Sequence, residues 1–184
     1  TIVGNVADNH YNRLVKVRNA SGTFDPHGQQ IVIANNVGDS GAYSGAVGID
    51  CDTKFDDLSI TGNVLKDFGG GGIIVNSDWF TCSSNVVVNP GGIGIDAGGT
   101  RGTIANNVVK GATQGIRSTV GYGLVNGNVV GESQSHGIRM GSVALPASCT
   151  NNLVFNSNQG SSGGNEFLVE DSECLFIGNR VSKQ

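Results

Sequence analysis

Ile60-Thr61-Gly62-Asn63-Val64 is one copy of a pattern that runs through the chain: an apolar residue, two spacers, an asparagine and a second apolar residue. The asparagine returns in Asn5-Val6, Asn36-Val37, Asn85-Val86, Asn107-Val108, Asn128-Val129 and Asn152-Leu153, and in a degenerate Asn179-Arg180. By subtraction, successive asparagines lie 31, 27, 22, 22, 21, 24 and 27 residues apart, the mark of a solenoid with loops of varying length inserted. Three residues before each asparagine stands Ile2, Ile33, Ile60, Cys82, Ile104, Val125, Cys149 or Phe176, which predicts an interior stack.

A second apolar run opens eight to eleven residues after most of the asparagines, at Val47, Ile73, Ile93, Ile116 and Ile138. These runs are short, rich in Val and Ile, and bounded by Gly, Asn, Ser and Asp, so they read as strands between turns, at least two in each coil. No window supports an amphipathic helix. Stacked at roughly 4.8 Å per coil, about seven coils would form a rod roughly 34 Å long. The asparagines are expected to form a ladder, each amide bonding the coils above and below, because a buried turn needs its polar groups paired.

The IxGNxV wording of Ile60 to Val64 resembles the repeats of the pectate-lyase-like superfamily. That resemblance covers nearly the whole chain and implies a right-handed, single-stranded parallel β-helix of about seven coils, an all-β fold with an asparagine ladder. It implies architecture and leaves the chemistry open.

The 184 residues make one domain, 1–184, and the first residue, Thr1, already inside a strand, suggests a piece of a longer chain. Thirty glycines against 3 prolines suit a chain of many turns, and the period excludes collagen. A formal net charge of −4 gives no basic footprint for nucleic acid. No apolar run approaches the roughly 18 residues needed to span a bilayer. Cys82 and Cys149 occupy the inward column, and Cys174 matches Ile31, Leu58 and Phe80 in a second one, so the cysteines read as small buried hydrophobes. Only Cys149 and Cys174, one coil apart, are spaced for a disulfide. No CxxC or Cys-His spacing suggests a metal, and nothing calls for a cofactor. Gly91-Gly92-Ile93-Gly94-Ile95-Asp96 matches the opening of a calcium-binding nonapeptide, but it occurs once, without a partner turn to supply the remaining ligands.

Outward positions carry the candidate chemistry. Aligned on the start of the second run, one column reads Arg18, Asp50, Asn76, Asp96, Thr119, Gly141 and Glu170, and its neighbour reads Lys16, Gly48, Ile74, Gly94, Arg117 and Arg139. Glycines 48 and 94 would leave floor space beside Asp50 and Asp96. Two coils apart, these carboxylates approach the roughly 6.5–9.5 Å of an inverting glycosidase pair. Arg18, Asn76, Arg117 and Arg139 are the expected substrate-binding residues around them. Trp79, with Phe68 beside it, offers an aromatic platform for a sugar ring. The bland alternative is that solvated strands carry outward aspartates and arginines to block lateral association.

Phe24-Asp25-Pro26-His27 resembles the catalytic segment of mannuronan C5-epimerases and related alginate lyases, with Asp50 near the family's later aspartate. The resemblance implies Asp25, His27 and Asp50 as acid–base residues acting at C5 of a uronate. Gly22 stands at the family's tyrosine and Gly28 at its acidic position, so the set is incomplete. Three function classes follow. One is a phage tailspike-like β-helix, virion-borne and homotrimeric, that binds or depolymerises a bacterial surface polysaccharide. Another is a secreted polysaccharide lyase or C5-epimerase. The last is a rod or adhesin without catalysis.

Overall fold

A computed structural model of the chain describes residues 1–8, 12–17, 30–51, 57–141, 146–158, 160, 164–170 and 173–182. Among these the fold is all-β, with 21 strands and no helix, and every strand pair is parallel. The chain visits three strand rows in order and then returns to the first, a topology compatible with a parallel β-helix.

Row one takes the strands that precede the asparagines, from Ile2–Val3 through Ile31–Ala34, Leu58–Thr61 and Trp79–Ser83 to Leu175–Ile177. Row two takes those that follow them, from Val6–Ala7 to Arg180–Ser182, and forms an eight-stranded sheet. Row three comprises Arg13–Lys16, Val47–Cys51, Gly71–Asn76, Ile138–Met140 and Phe167–Val169. Two long strands, Ile93–Ala105 and Gln114–Asn126, run through row three and on into row one, fusing both into one strongly curled 13-stranded sheet. The expectation of at least two strands per coil is met with three.

The asparagine ladder is present along the whole chain. Asn63 donates through its backbone N–H and its Nδ2 to Oδ1 of Asn85, at 3.0 and 2.9 Å. Asn85 does the same to Asn107, and Asn107 to Asn128. The second Nδ2 hydrogen reaches back to a carbonyl of the preceding repeat, Ile33 for Asn63, Ile60 for Asn85 and Cys82 for Asn107. Even the degenerate Asn179 accepts from Asn152. The residue before each ladder asparagine turns the corner with positive φ: Gly4, Asn35, Gly62, Ser84, Asn106, Gly127, Asn151 and Gly178. That is why Gly-Asn, Asn-Asn and Ser-Asn recur, since Gly and Asn tolerate this conformation best.

Inside, Ile33, Ile60, Cys82, Ile104, Val125 and Cys149 stack in register and are fully buried. Leu65, Val87, Val109, Val130 and Val154 of row two face them. A glycine column makes room for the row-two side chains. A Cβ on Gly72 would lie 2.4 Å from Val87 Cγ1, on Gly94 2.3 Å from Val109 Cγ1, and on Gly115 2.2 Å from Val130 Cγ1. Gly48 faces Leu65 in the same way. The expectation that Gly48 and Gly94 open an outer floor is therefore corrected: they point inward. Phe68 is also buried, not an outer platform, because it follows the left-handed Asp67 and turns into space left by Gly38. The nonapeptide-like glycines have a packing role too, since a Cβ on Gly92 would lie 2.0 Å from the Gly70 carbonyl oxygen.

All four cysteines are free thiols, three of them buried. Burial pushes Cys51, Cys82 and Cys149 up from an ordinary 9.0 to about 12, with smaller raising contributions from Asp50, Cys51 and Cys174 respectively. In the unfolded chain these thiols ionise near their ordinary value while the native state keeps its protons to about 12. The native state then binds more protons, so their contribution is intact below the ordinary value and is lost as pH rises through this window. Each thiol should lower stability by about 1.4 kcal/mol per pH unit there. Cys82→Val, which substitutes a residue type the column already carries, should flatten the alkaline fall in denaturant-unfolding free energy by about that slope. An unchanged slope would show that Cys82 ionises equally easily in both states.

Candidate functional site

Two hollows lie on the outer surface on either side of the corner at Gly98-Gly99. The smaller, about 280 Å³, belongs to row three and is lined by Ile74, Asn76, Asp96, Gly98, Arg117 and Thr119, with Val75 and Gly99. It gathers three expected site residues, Asp96, Asn76 and Arg117, but in a different register. Asp50 pairs with Ile74, Ile74 with Asp96, Asp96 with Arg117 and Arg117 with Arg139, with Lys16 next to Asp50. Asn76, Gly98 and Thr119 form the adjacent column. Asp50 and Asp96 thus move by two residues into the column of Lys16, Ile74, Arg117 and Arg139. They remain two coils apart, on the outer face.

Three carboxylates of that face are each matched by an arginine. Asp50 is only 3 % exposed and is ion-paired with Arg13. Asp96 accepts both Nε and Nη2 of Arg117, at 2.7 and 2.5 Å. This bond raises the pKa of Arg117 and holds the guanidinium charged. Arg139 grips Glu170 through Nη2, at 2.9 and 3.1 Å. A buried, paired Asp50 and a doubly bonded Asp96 form a charge ladder that ties neighbouring coils together. Arg18, Asp25 and His27 lie outside the described residues.

The larger hollow, about 570 Å³, lies on row one. An outer column of Trp79, Arg101 and Tyr122 crosses it, with Trp79 paired to Arg101 and Arg101 to Tyr122, and Gln30 and Asp57 line its end. Ser59, Thr81 and Thr103 stand two residues along their strands in the neighbouring outer column, with Leu124 beyond. The guanidinium of Arg101 lies between two rings, 4.7 Å from the centre of Trp79 and 5.1 Å from that of Tyr122. Both rings are half exposed, Trp79 at 49% and Tyr122 at 48%. Thr100 Oγ1 donates to Asp78 at 2.9 Å and fixes the corner that leads into this column.

Trp79, expected as a platform beside the Asp50 and Asp96 groove, lies in this separate hollow instead, and Arg101, Tyr122 and Asp57 are not among the residues the sequence singles out. Their signal is nonetheless present, because Asp57, Trp79, Arg101 and Tyr122 each stand six residues before a ladder asparagine, Asn63, Asn85, Asn107 and Asn128. Counting back from the ladder superimposes them. Counting forward, which places row three, crosses turns of unequal length.

Among the described residues no group of three or more His, Cys, Asp or Glu side chains is placed to hold a metal. Within the same residues no helix is long and apolar enough to cross a membrane. Comparison with known protein families, with curated proteins and with solved structures gives no match to this chain.

Proposed function

We propose that this chain is a carbohydrate-recognising, right-handed parallel β-helix of about seven coils, similar to those of phage tailspikes, and that the row-one groove is where a glycan chain lies. The observation that carries this reading is the pair of half-exposed rings, Trp79 and Tyr122, set two strands apart along one column with hydroxyl side chains beside them. Aromatic faces take the apolar faces of sugar rings, while Ser59, Thr81 and Thr103 supply donors and acceptors for ring hydroxyls. Two strand spacings, roughly 9.6 Å, allow the rings to contact different sugars of one extended chain running along the rod.

Binding is favoured over cleavage. A glycosidase needs two carboxyl groups flanking the scissile bond, and the row-one groove is lined by only one among the described residues, Asp57. On the other face, Asp50 and Asp96 are each engaged by an arginine. Attachment to a bacterial surface polysaccharide as part of a homotrimeric, virion-borne fibre is the setting we propose.

The test is binding to immobilised polysaccharides, including alginate, pectin and bacterial capsular and O-antigen chains, by the parent protein and by Trp79→Ala and Tyr122→Ala. Both side chains are half exposed, so the circular dichroism spectrum should be retained. Each substitution should weaken binding about tenfold, or roughly 1.4 kcal/mol. Unchanged binding in both variants would move the site elsewhere. Release of reducing ends or unsaturated uronate, lost in Asp50→Asn or Asp96→Asn, would replace the binding reading with a depolymerase.

A further inference from the structure

Arg101 is unlike the arginines of row three. Arg13, Arg117 and Arg139 each hold a carboxylate of a neighbouring coil. Arg101 has no carboxylate within ion-pair distance among the described residues, and its guanidinium stacks on the two rings that flank it. A guanidinium carries five N–H donors in a fixed plane. Here that plane is held between Trp79 and Tyr122, so little side-chain entropy remains to be lost on binding. The donors sit in the row-one groove, with hydroxyl-bearing Thr81 and Thr103 beside them.

We infer that Arg101 is a carboxylate-reading residue, and that the glycan bound in this groove carries a uronate-type carboxylate on the sugar lying between those stacked on Trp79 and Tyr122. This rests on the proposed glycan-binding role of the groove. A planar, two-oxygen carboxylate matches the guanidinium fork in a bidentate pair, and flanking aromatics lower the local dielectric that would otherwise weaken it. The other charge in the groove sharpens the reading. Asp57 lines the same groove just ahead of Leu58–Thr61, a strand two along from that of Arg101, and would repel a second carboxylate at that end. The groove therefore selects a chain in which acidic and neutral sugars alternate over one that is acidic at every unit.

The experiment compares binding of the protein to an alternating glucuronate-containing capsular polysaccharide, its carboxyl-reduced form, polygalacturonate, dextran sulfate and a neutral glucan. The parent protein should prefer the alternating polymer, lose at least tenfold on carboxyl reduction and weaken as salt rises. Arg101→Met keeps the apolar bulk between the rings and should lose that preference while retaining residual, salt-insensitive binding. Asp57→Asn should improve binding of fully charged polygalacturonate. Equal binding of native and carboxyl-reduced polymers, or an Arg101→Met variant that still discriminates between them, overturns the inference. If such non-discriminating binding still depends on Trp79, the glycan-binding reading survives without it. Preference for dextran sulfate alone would reassign Arg101 to a sulfate, and binding to none of the five overturns both readings.

Discussion

Asn107→Ala should destabilise the protein by about 4–6 kcal/mol, because it breaks the ladder where no water can replace it. Asn107 is fully buried. Its Oδ1 accepts both the backbone N–H and the Nδ2 of Asn85, and its Nδ2 donates to the Cys82 carbonyl and to Oδ1 of Asn128. Alanine leaves the Asn85 backbone N–H without an acceptor and removes donors from two further acceptors. Each stranded buried group costs about 1–3 kcal/mol. For a chain of this size the midpoint of thermal unfolding should fall by roughly 10–20 °C. The internal control is Asn5→Ala at the exposed start of the ladder, where water satisfies what is lost, and a shift below about 1 kcal/mol is expected. Equal shifts for the two variants would mean that the ladder adds nothing beyond its turn geometry.

Gly99→Ala is the second large effect, and it couples the fold to the groove. Gly99 sits at φ +130, and a Cβ there would lie 1.9 Å from the carbonyl oxygen of Ser77, a backbone atom in the neighbouring coil that cannot step aside alone. Relief requires the strand to move, so a cost above about 3 kcal/mol is expected. Two residues further on stands Arg101 and three residues earlier Asp96, so the movement should disturb the Trp79–Arg101–Tyr122 column and the Asp96–Arg117 pair together. The adjacent Gly98→Ala is the comparison. Its Cβ would meet only Thr119 Oγ1 at 3.4 Å and Asn76 Oδ1 at 3.5 Å, ordinary contacts. Chemical denaturation should separate the two variants by more than about 2 kcal/mol, and indistinguishable stabilities would show that the corner adapts.

Much of the architecture was legible because a solenoid repeats in one dimension. Each ladder asparagine marks the same point of the coil, and the residues within six positions before it keep a constant count to it. The inward Ile33–Ile60–Cys82–Ile104 stack follows from that count, as does the buried state of Cys82 and Cys149. Row three was harder to align for a local reason. Gly92-Ile93-Gly94-Ile95 offers two Gly-Ile pairs two residues apart. Because side chains alternate with period two, either choice leaves Asp96 outside and differs only in its column. The choice falls on Gly94-Ile95, since only a missing Cβ at position 94 admits Val109 from across the core.

By itself the sequence determined the period, the ladder, the all-β character and the inward columns, since all of these are properties of spacing along the chain. Tertiary structure alone decided which outer side chains of row three become neighbours. Asp96 meets Arg117 rather than a second free carboxylate, whereas Trp79, Arg101 and Tyr122 keep the constant count to the ladder that already superimposes them. The physical reason is that parallel strands bring together residues a full coil apart, and the length of each coil depends on turns whose packing no local pattern encodes.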